Sequence, residues 1–339
     1  MKELFRELCL LNGVSGDEDR VRNHIISAIG GLCDYSVDNL GNLICFKKGK
    51  KTLEKKLMVC AHMDEVGFII TSVRNDGTLS FVAVGGIEAS SAMGKQVKVG
   101  KNLISGVIGS AAVHNLSKEQ REKAPQLSGF YIDIGAANKE EAEKYASPGD
   151  CVYFDSEYTE LGGSCVKSKA IDDRAGCAVM IKLMQQELEY DTYFVFNVQE
   201  EIGLRGAAVS AYSVQPDIAF VLEATTASDI DGVTGAKRVC ALGGGPVVSF
   251  MDRSTMYDRE LYRKAFETAE NTGIPCQTKS MVAGGNDSGA IHISGKGVRT
   301  LAVSVPCRYL HSPSCVIDLK DFENTYRLVR ELIKKAEEL

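Results

Sequence analysis

The sequence predicts an α/β fold with a mostly parallel sheet, helices on both faces of that sheet, and an inserted small β-barrel-like domain. Short apolar runs alternate with segments of helical periodicity over residues 1–68 and again over residues 166–339. Between them, residues 69–165 consist mainly of short alternating strands separated by glycines. Strand and helix alternation is typical of a parallel sheet covered on both faces. We therefore expect one large α/β domain, interrupted by an all-β insertion.

The first part of the chain contains patterns of both helices and strands. The segment KELFRELCLL has helical spacing, and Ser15 with Glu18 forms a capping-box pattern ahead of the helical segment DEDRVRNHIISAI. Strand-like segments follow at YSVDN, NLICFKKG and KLMVCA. The last of these is a continuous apolar run, which indicates a buried strand.

The insertion and the part after it differ in pattern. The insertion contains the short strands GFIITSV, LSFVAVG, QVKVG, ISGVIGS and DCVYFD, with one charged helix candidate at KEEAEKYA. After it, helices are predicted at DRAGCAVMIKLMQQEL, near GLRGAAVSAYS, at RELYRKAFETAENTG and at the C-terminal LKDFENTYRLVRELIKKAEEL. Strands are predicted between them at TYFVFNV, DIAFVLE, VVSFMD and RTLAVSV. This alternation predicts the parallel sheet.

The composition excludes several classes of partner. A formal net charge of −6 argues against nucleic acid or an anionic membrane, because both select for basic patches. No apolar stretch reaches the length of a membrane span, and the charged N-terminus does not resemble a secretory signal. The 11 cysteines contain no C-x-x-C pair. We therefore expect a reduced, cytoplasmic protein.

Histidine and carboxylate side chains follow the apolar runs at the points where the runs end. In open α/β sheets, ligands bind beyond the carboxyl ends of the strands, so these positions are candidates for chemistry. The candidates are His62, Asp172, Asp173, Glu200, Glu201, Glu223 and His311. Each acid taken alone also has a local explanation, as a helix N-cap, an exposed loop acid or a surface strand end. Their accumulation at one edge of one sheet favours a common site.

The donor types favour metal ions. Imidazole and carboxylate are the usual ligands of zinc and its neighbours, and two histidines with three carboxylates exceed the needs of one four-coordinate ion. A pair of ions about 3.5–4 Å apart that share one carboxylate would use all of them. The residues therefore predict a site for two divalent ions.

Five segments carry a resemblance to a known family. AHMDEVGF, KAIDDRAG, VQEEIGLRGA, GGNDSGAIHIS and RYLHSP occur in this order. They resemble the signature segments of the cytosolic metallo-aminopeptidases that include glutamyl aminopeptidase and the tetrahedral, dodecameric aminopeptidases, some of whose relatives are labelled endoglucanase. The resemblance implies a di-zinc aminopeptidase-like catalytic domain formed by residues 1–68 and 166–339. It also implies that residues 69–165 serve oligomerisation, in a dodecamer built from dimers.

The resemblance also implies roles for single residues. His62 and Glu223 would bind one metal ion, Glu201 and His311 the other, and Asp172 would bridge the two. Glu200 would be the general base, and Asp64 would fix the tautomer of the neighbouring imidazole. The peptide bond between Asp172 and Asp173 would be cis. Zinc is the expected ion, and cobalt and manganese accept the same donors.

The predicted function is a metal-dependent aminopeptidase that removes N-terminal residues from short peptides with a two-metal-activated water. Two alternatives remain open at this point. A glycoside hydrolase would also use paired carboxylates, although the chain has no Trp for a sugar platform. A non-catalytic metal-binding assembly protein is the other. Because neighbouring side chains of an extended segment point to opposite faces, Glu200 and Glu201 are expected to have different roles. Asp287 is expected to cap a helix.

Overall fold

The computed structural model describes residues 1–339, except for the side chains at positions 113 and 120. The helices are α1 Lys2–Leu10, α2 Asp19–Ile29, α3 Ala89–Ala92, α4 Lys118–Arg121, α5 Lys139–Ala142, α6 Ile171–Met184, α7 Arg205–Val214, α8 Arg259–Thr272, α9 Ser288–Ile291 and α10 Leu319–Lys334. The strands are β1 Asp34–Val37, β2 Leu43–Lys47, β3 Leu57–His62, β4 Gly67–Val73, β5 Leu79–Val84, β6 Gln96–Val99, β7 Ile104–Ser110, β8 Phe130–Asp133, β9 Cys151–Phe154, β10 Thr159–Leu161, β11 Cys165–Ser168, β12 Thr192–Asn197, β13 Ile218–Thr226, β14 Val247–Val248, β15 Gln277–Thr278, β16 Arg299–Cys307 and β17 Cys315–Asp318. In the part of the chain so described, no helix is long and apolar enough to cross a membrane.

The large sheet has eight strands in the order β1-β2-β12-β3-β13-β16-β14-β15. Its four central strands, β12, β3, β13 and β16, are parallel to one another, and the outer neighbours β2 and β14 pair with them in the antiparallel sense. The predicted fold class is therefore confirmed. The register pairs His62 with Asn197, so that β3 and β12 end side by side. The residues that follow these two strands consequently emerge at the same edge of the sheet.

Both faces of the sheet are covered because the central strands are apolar on both sides. In β3, Val59 and Ala61 belong to a core with helices α1, α2, α6, α8 and α10. The alternate residues Met58 and Cys60 pack in a second core with residues of α7 and α9. Successive side chains of a strand point to opposite faces, which explains this division. A continuous apolar run is the result expected for a strand buried on both faces.

The insertion forms a closed barrel in which β4, β5, β8, β7, β6 and β9 pair in sequence and β9 returns to β4. Its own core contains Phe68 in edge-to-face contact with Phe81 and Phe154, at ring-centroid distances of 4.9 and 5.3 Å. Closure removes free strand edges. Each of the six strands therefore has a neighbour on both sides, although β5 and β8 share the single residue pair Leu79–Ile132.

A small third sheet brings two distant chain segments together. Its strands β10, β11 and β17 are antiparallel, and Ser168 of β11 pairs with Cys315 of β17. Asp172 lies just after β11 and His311 just before β17. The expectation that the candidate ligands follow strands of a single sheet was wrong for Asp172, because β11 belongs to this separate sheet. Asp172 instead lies at the first turn of α6.

The capping box predicted at Ser15 and Glu18 is absent from the described start of α2. Glu18 is the N-cap residue, but its side chain makes no hydrogen bond to the helix. The Ser15 hydroxyl donates instead to the carboxylate of Asp64 at 2.6 Å. The prediction of a capping box was therefore wrong, and the carboxylate of Glu18 accepts instead from the amides of Gly16 and Gln199.

Candidate metal centre

The first group of donor atoms lies at the end of β3. The Nε2 atom of His62 is 3.2 Å from Oδ1 of Asp172 and 3.3 Å from Oε1 of Glu223. Glu223 lies within β13, and Asp172 arrives from the start of α6. All three side chains are nearly buried. Three chain segments thus converge on a single imidazole nitrogen.

The second group uses the other oxygen of the same aspartate. The Nε2 atom of His311 is 3.4 Å from Oδ2 of Asp172 and 3.4 Å from Oε2 of Glu201. Glu201 lies in the loop after β12, and His311 in the loop between β16 and β17. The carboxylate of Asp172 therefore faces two histidines, one through each oxygen.

These spacings fit metal ions of the expected kind. Bonds of about 2.0–2.1 Å in tetrahedral geometry separate neighbouring ligand atoms by about 3.4 Å. The separations of 3.2–3.4 Å between the donor atoms agree with this value. His62, Asp172 and Glu201 also form a group whose donor atoms all lie within 4.8 Å of one another. The residues present therefore suit divalent ions.

The Nδ1 atom of each histidine forms a hydrogen bond with a backbone carbonyl oxygen. The Nδ1 atom of His62 is 3.1 Å from the carbonyl oxygen of Asp64, with the carboxylate of Asp64 farther away at 3.5 Å. The Nδ1 atom of His311 is 2.9 Å from the carbonyl oxygen of Gly86. A carbonyl can only accept, so Nδ1 must donate in both contacts. Each neutral imidazole then presents a free lone pair on Nε2 to an ion.

Glu200 and Glu201 lie in a loop, not in an extended segment, so strand alternation does not explain their separation. The amide of Glu200 donates to Oδ1 of Asp64 at 3.0 Å, and that of Glu201 donates to Oδ2 at 3.1 Å. The carbonyl of Glu200 accepts from Gly203 and Leu204, as in a turn. Asp64 therefore fixes the backbone that carries both glutamates.

Three non-glycine residues, one of them a candidate ligand and two close to candidate ligands in the chain, have left-handed backbone angles. Ala170, Gln199 and His311 have φ values of 55°, 56° and 56°. Each costs about 1–2 kcal/mol relative to a right-handed conformation. Such strain persists only where the surrounding contacts fix the backbone, and it clusters at functional sites.

Burial and crowding change the protonation of these groups. Burial raises the pKa of Glu201 to about 8, with the Asp172 charge adding to the effect and His311 opposing it. Burial also raises the pKa of Glu200 well above its ordinary value. Burial works against the charged form of His311, but the Asp172 hydrogen bond and the charge of Glu201 raise its pKa to about 10. A bound divalent ion would replace protons held by this cluster.

The sequence predicted a cis peptide bond before Asp173 and a helix cap at Asp287. The peptide bond between Asp172 and Asp173 is cis, as the resemblance implied. The donor atoms of Asp173, His62 and Glu223 also lie within 4.8 Å of one another. Asp287 is the N-cap residue of α9, but its side chain makes no hydrogen bond to that helix and accepts instead from Asn197 at 2.8 Å. The predicted position is therefore confirmed, and the capping hydrogen bond is not formed.

Sequence reasoning missed a buried ionic cluster beside the site. Lys169 contacts both oxygens of Glu65 at 2.7 and 2.9 Å, and all of these groups are almost fully buried. Arg174 donates to the carbonyls of Met63 and Leu8 at 2.8 and 2.6 Å. These contacts connect α1, the end of β3 and the start of α6. Local sequence gives no sign of this, because Lys and Arg are almost never fully buried unless paired.

A cavity of about 840 Å³ opens onto both donor groups. The candidate ligands Asp172, Glu201, Glu223 and His311 line it together with Glu200. Three cations, Lys237, Arg253 and Lys279, also line it, and Glu88 is its remaining acid. The sequence could not locate this cavity, because its walls come from loops spread over more than 200 residues.

Histidines and carboxylates converge beyond the strands of a parallel sheet, next to a cavity large enough for the end of a peptide. This combination is typical of a metal-dependent hydrolase. Comparison with known proteins gives the family. The profile of the M42 glutamyl aminopeptidases matches residues 41–328. The chain therefore belongs to the M42 glutamyl aminopeptidase family, and it is a metal-dependent aminopeptidase. The prediction from the five sequence segments is confirmed at this level.

Individual relatives resemble the chain over nearly its whole length. The lysyl aminopeptidase of Pyrococcus furiosus is 32% identical over 98% of this chain and 96% of its own. The glutamyl aminopeptidase of Lactococcus lactis subsp. cremoris is 30% identical over 98% of this chain and 96% of its own. Among solved structures, the TET1 peptidase of Pyrococcus horikoshii, described as able to assemble into a tetrahedron or a large octahedral shell, has a TM-score of 0.87. It is 36% identical and covers 98% of each chain.

Proposed function

We propose that this aminopeptidase uses two divalent ions to hydrolyse the N-terminal peptide bond of short peptides. His62 and Glu223 would hold one ion, Glu201 and His311 the other, and Asp172 would bridge them. The observation that carries this proposal is the divided Asp172 carboxylate, whose two oxygens face two different histidines at 3.2 and 3.4 Å. The donor set suits zinc first, and cobalt or manganese as well.

The protein's own residues would supply proton transfer and positioning. Bound divalent ions of this kind lower the pKa of a water and polarise the scissile carbonyl. Glu200 lines the same cavity and would take the proton of the attacking water and deliver it to the leaving amine. Asp64 would hold Glu200 in place through the backbone amide, 3.0 Å from Oδ1. Nothing in this donor arrangement favours glycoside hydrolysis, which needs no histidine ligands.

Removal of metal tests the proposal. We expect chelation to lower the release of N-terminal residues by at least about tenfold, because both the nucleophile and the polarised carbonyl depend on the ions. Adding back zinc, cobalt or manganese should restore the rate. Activity on aminoacyl chromogenic amides and metal content by elemental analysis are measured on the same samples.

Two controls accompany this experiment. The circular dichroism spectrum should stay unchanged after chelation, so that lost activity reflects lost metal and not unfolding. A soluble cellulose, tested in parallel, should not be cleaved. Verified metal-free protein that still released amino acids at the original rate would contradict the proposal.

The charges of the cavity support an acidic N-terminal residue as the preferred substrate. Named relatives include both a lysyl and a glutamyl aminopeptidase, so the family leaves this choice open. At the metal end of the cavity, the positive charge of two divalent ions would balance the negative charge of four carboxylates, those of Asp172, Glu200, Glu201 and Glu223. The rest of the cavity then carries Lys237, Arg253 and Lys279 against Glu88 alone. Lys279 is half-buried, and the described contact of its ammonium is a hydrogen bond to the carbonyl of Ala283 at 2.8 Å.

We expect kcat/KM for a glutamyl amide to exceed that for a lysyl amide by about 10–100-fold, because a charge-assisted hydrogen bond is worth about 1.5–3 kcal/mol. Lys279→Gln should reduce this ratio, and added salt should reduce it in the wild type. Lys296→Gln is the matched control, because Lys296 pairs with Asp217 on the surface, outside the cavity lining. A lysyl amide cleaved faster than the glutamyl amide would contradict the assignment.

We also propose that residues 1–68 and 166–339 form the catalytic part and that residues 69–165 serve assembly into a dodecamer built from dimers. The similarity to a peptidase that assembles into a tetrahedron supports this. Exposed apolar side chains on the barrel, Val82, Met93 and Val107, are available for contacts between chains. The 11 cysteines, all free in the structure, fit a reducing cytoplasmic location.

Light scattering at micromolar concentration should give a mass close to twelve times the 36.7 kDa of one chain. Val82→Glu together with Val107→Glu should lower that mass, because buried unpaired charges destabilise an interface. Tyr212→Glu is a control on the other part of the molecule, where this side chain is 73% exposed. A strictly monomeric wild type with full metal content would contradict the assembly proposal.

A further inference from the structure

The buried carboxylate of Glu18 caps no helix and belongs to neither donor group, yet it contacts the loop that carries Glu200. Its Oε1 accepts hydrogen bonds from the amides of Gly16 at 2.8 Å and Gln199 at 3.2 Å. Only 4% of the residue is exposed. Burial of a carboxylate is costly unless the group is paired or hydrogen-bonded, and the two amides supply such hydrogen bonds here. This contact joins the N-terminal segment to the residue directly before the proposed base.

A second contact from the same segment reaches the same loop indirectly. The hydroxyl of Ser15 donates to Oδ2 of Asp64 at 2.6 Å. Asp64 in turn accepts the amides of Glu200 and Glu201. Three successive amides, from residue 199 to residue 201, therefore donate to two buried carboxylates. One of these carboxylates, Glu18, belongs to the N-terminal segment, and the other, Asp64, accepts the hydrogen bond of Ser15 in that segment.

The loop needs such a support. Gln199 has a φ of 56°, a conformation that a non-glycine residue keeps only when its surroundings fix it. Without Glu18, the described partner of the Gln199 amide would be lost, and a right-handed backbone would become more favourable. The side chain of Glu200 would then move relative to the two donor groups. A displacement of about 1 Å can cost about 10²-fold in rate.

We propose that Glu18 is a positioning residue for the aminopeptidase reaction, which holds Glu200 in place through the Gln199 amide. This inference rests on the proposed role of Glu200 as the general base. It assigns the N-terminal segment a part in the reaction, although the segment lies outside the cavity lining.

The test is a set of substitutions at Glu18 in the metal-loaded enzyme. Glu18→Ala should lower kcat by about 10–100-fold, whereas KM and metal content stay unchanged. Glu18→Gln keeps an acceptor oxygen at the same place and should retain kcat within about threefold, because the neutral amide still accepts both hydrogen bonds. The assay temperature is chosen so that both variants are folded. If Glu18 only stabilised the fold, Glu18→Ala and Glu18→Gln would then have the same kcat.

Two further variants keep the test decisive. Asp19→Ala removes a neighbouring carboxylate from the first turn of α2, whose described side-chain partner is Arg22 at 2.6 Å, and its kcat should equal that of the wild type. Where Glu18→Ala does not fold, Glu18→Asp withdraws the carboxylate by one methylene and should lower kcat by about 3–10-fold.

A double substitution separates this inference from the proposed function. In a Glu200→Gln background, Glu18→Ala should lower kcat no further, because residues that act as a unit are not additive. A full additional loss would overturn the inference. A normal kcat for Glu18→Ala together with a strongly lowered kcat for Glu200→Gln would overturn the inference and leave the proposed function intact. A normal kcat for Glu200→Gln itself would overturn both.

Discussion

Replacing Glu200 with glutamine is expected to lower kcat by about 10²–10⁴-fold, the usual contribution of a general base. The amide cannot take the proton of the attacking water, but it occupies nearly the same volume. Glu200 is outside both groups of donor atoms within 4.8 Å, so metal content should stay unchanged. Steady-state kinetics on the best amide substrate and elemental analysis measure the two properties on one preparation.

Glu201→Gln is the matched control for Glu200→Gln, since the two residues are neighbours in one loop. The Oε2 atom of Glu201 lies 3.4 Å from the Nε2 atom of His311, and an amide is a poorer ligand than a carboxylate. This variant should therefore lose affinity for one ion and regain activity when metal is added in excess. Added metal should not restore Glu200→Gln. If Glu200→Gln lost metal while Glu201→Gln kept it, the two roles would have to be exchanged.

Asp172→Asn is expected to have an equally large effect by a different route. The side chain supplies one oxygen to each histidine group, at 3.2 and 3.4 Å, so its loss weakens both proposed sites at once. We expect metal content to fall strongly and kcat/KM to decrease by more than about 10³-fold, because several kcal/mol of transition-state stabilisation depend on the ions. Metal titration followed by calorimetry measures both binding events.

The control for Asp172→Asn is Glu88→Gln, which removes a carboxylate from the same cavity without touching either donor group. It should keep both metal content and turnover on a neutral substrate. Added metal should restore Asp172→Asn only in part, because an amide offers one neutral acceptor where the carboxylate offers two charged oxygens. An Asp172→Asn protein that bound metal as tightly as the wild type would contradict the bridging role.

The alternation of strands and helices was readable from the sequence, and the fold class it predicted is confirmed. A continuous apolar run such as Leu57–His62 indicates a strand buried on both faces, because side chains alternate between two cores. The five signature segments also led to the family, because each segment is short and can be recognised from its neighbouring residues alone. The roles of the individual ligands stay a prediction until the substitutions are made.

Contacts between distant segments were not readable in this way. The capping box at Ser15 and Glu18 has the right local spacing, but its hydroxyl bonds to Asp64, 49 residues away, and its carboxylate to Gln199, 181 residues away. Similarly, Asp172 follows a strand of a separate small sheet, which brings it beside His311. Local spacing predicts which groups can form hydrogen bonds, but it does not predict which distant group will be nearest.

The sequence by itself predicted most of the strands and helices, the family, and a set of candidate metal ligands, because periodicity and short motifs are properties of neighbouring residues. Only the tertiary structure decided that the insertion closes into a barrel, that Lys169 and Arg174 are buried, and that three cations line the cavity. These features depend on packing between segments far apart in the chain. A buried charge or a cavity wall is stable only when its partners arrive from elsewhere in the fold, and the pattern of nearby residues does not record them.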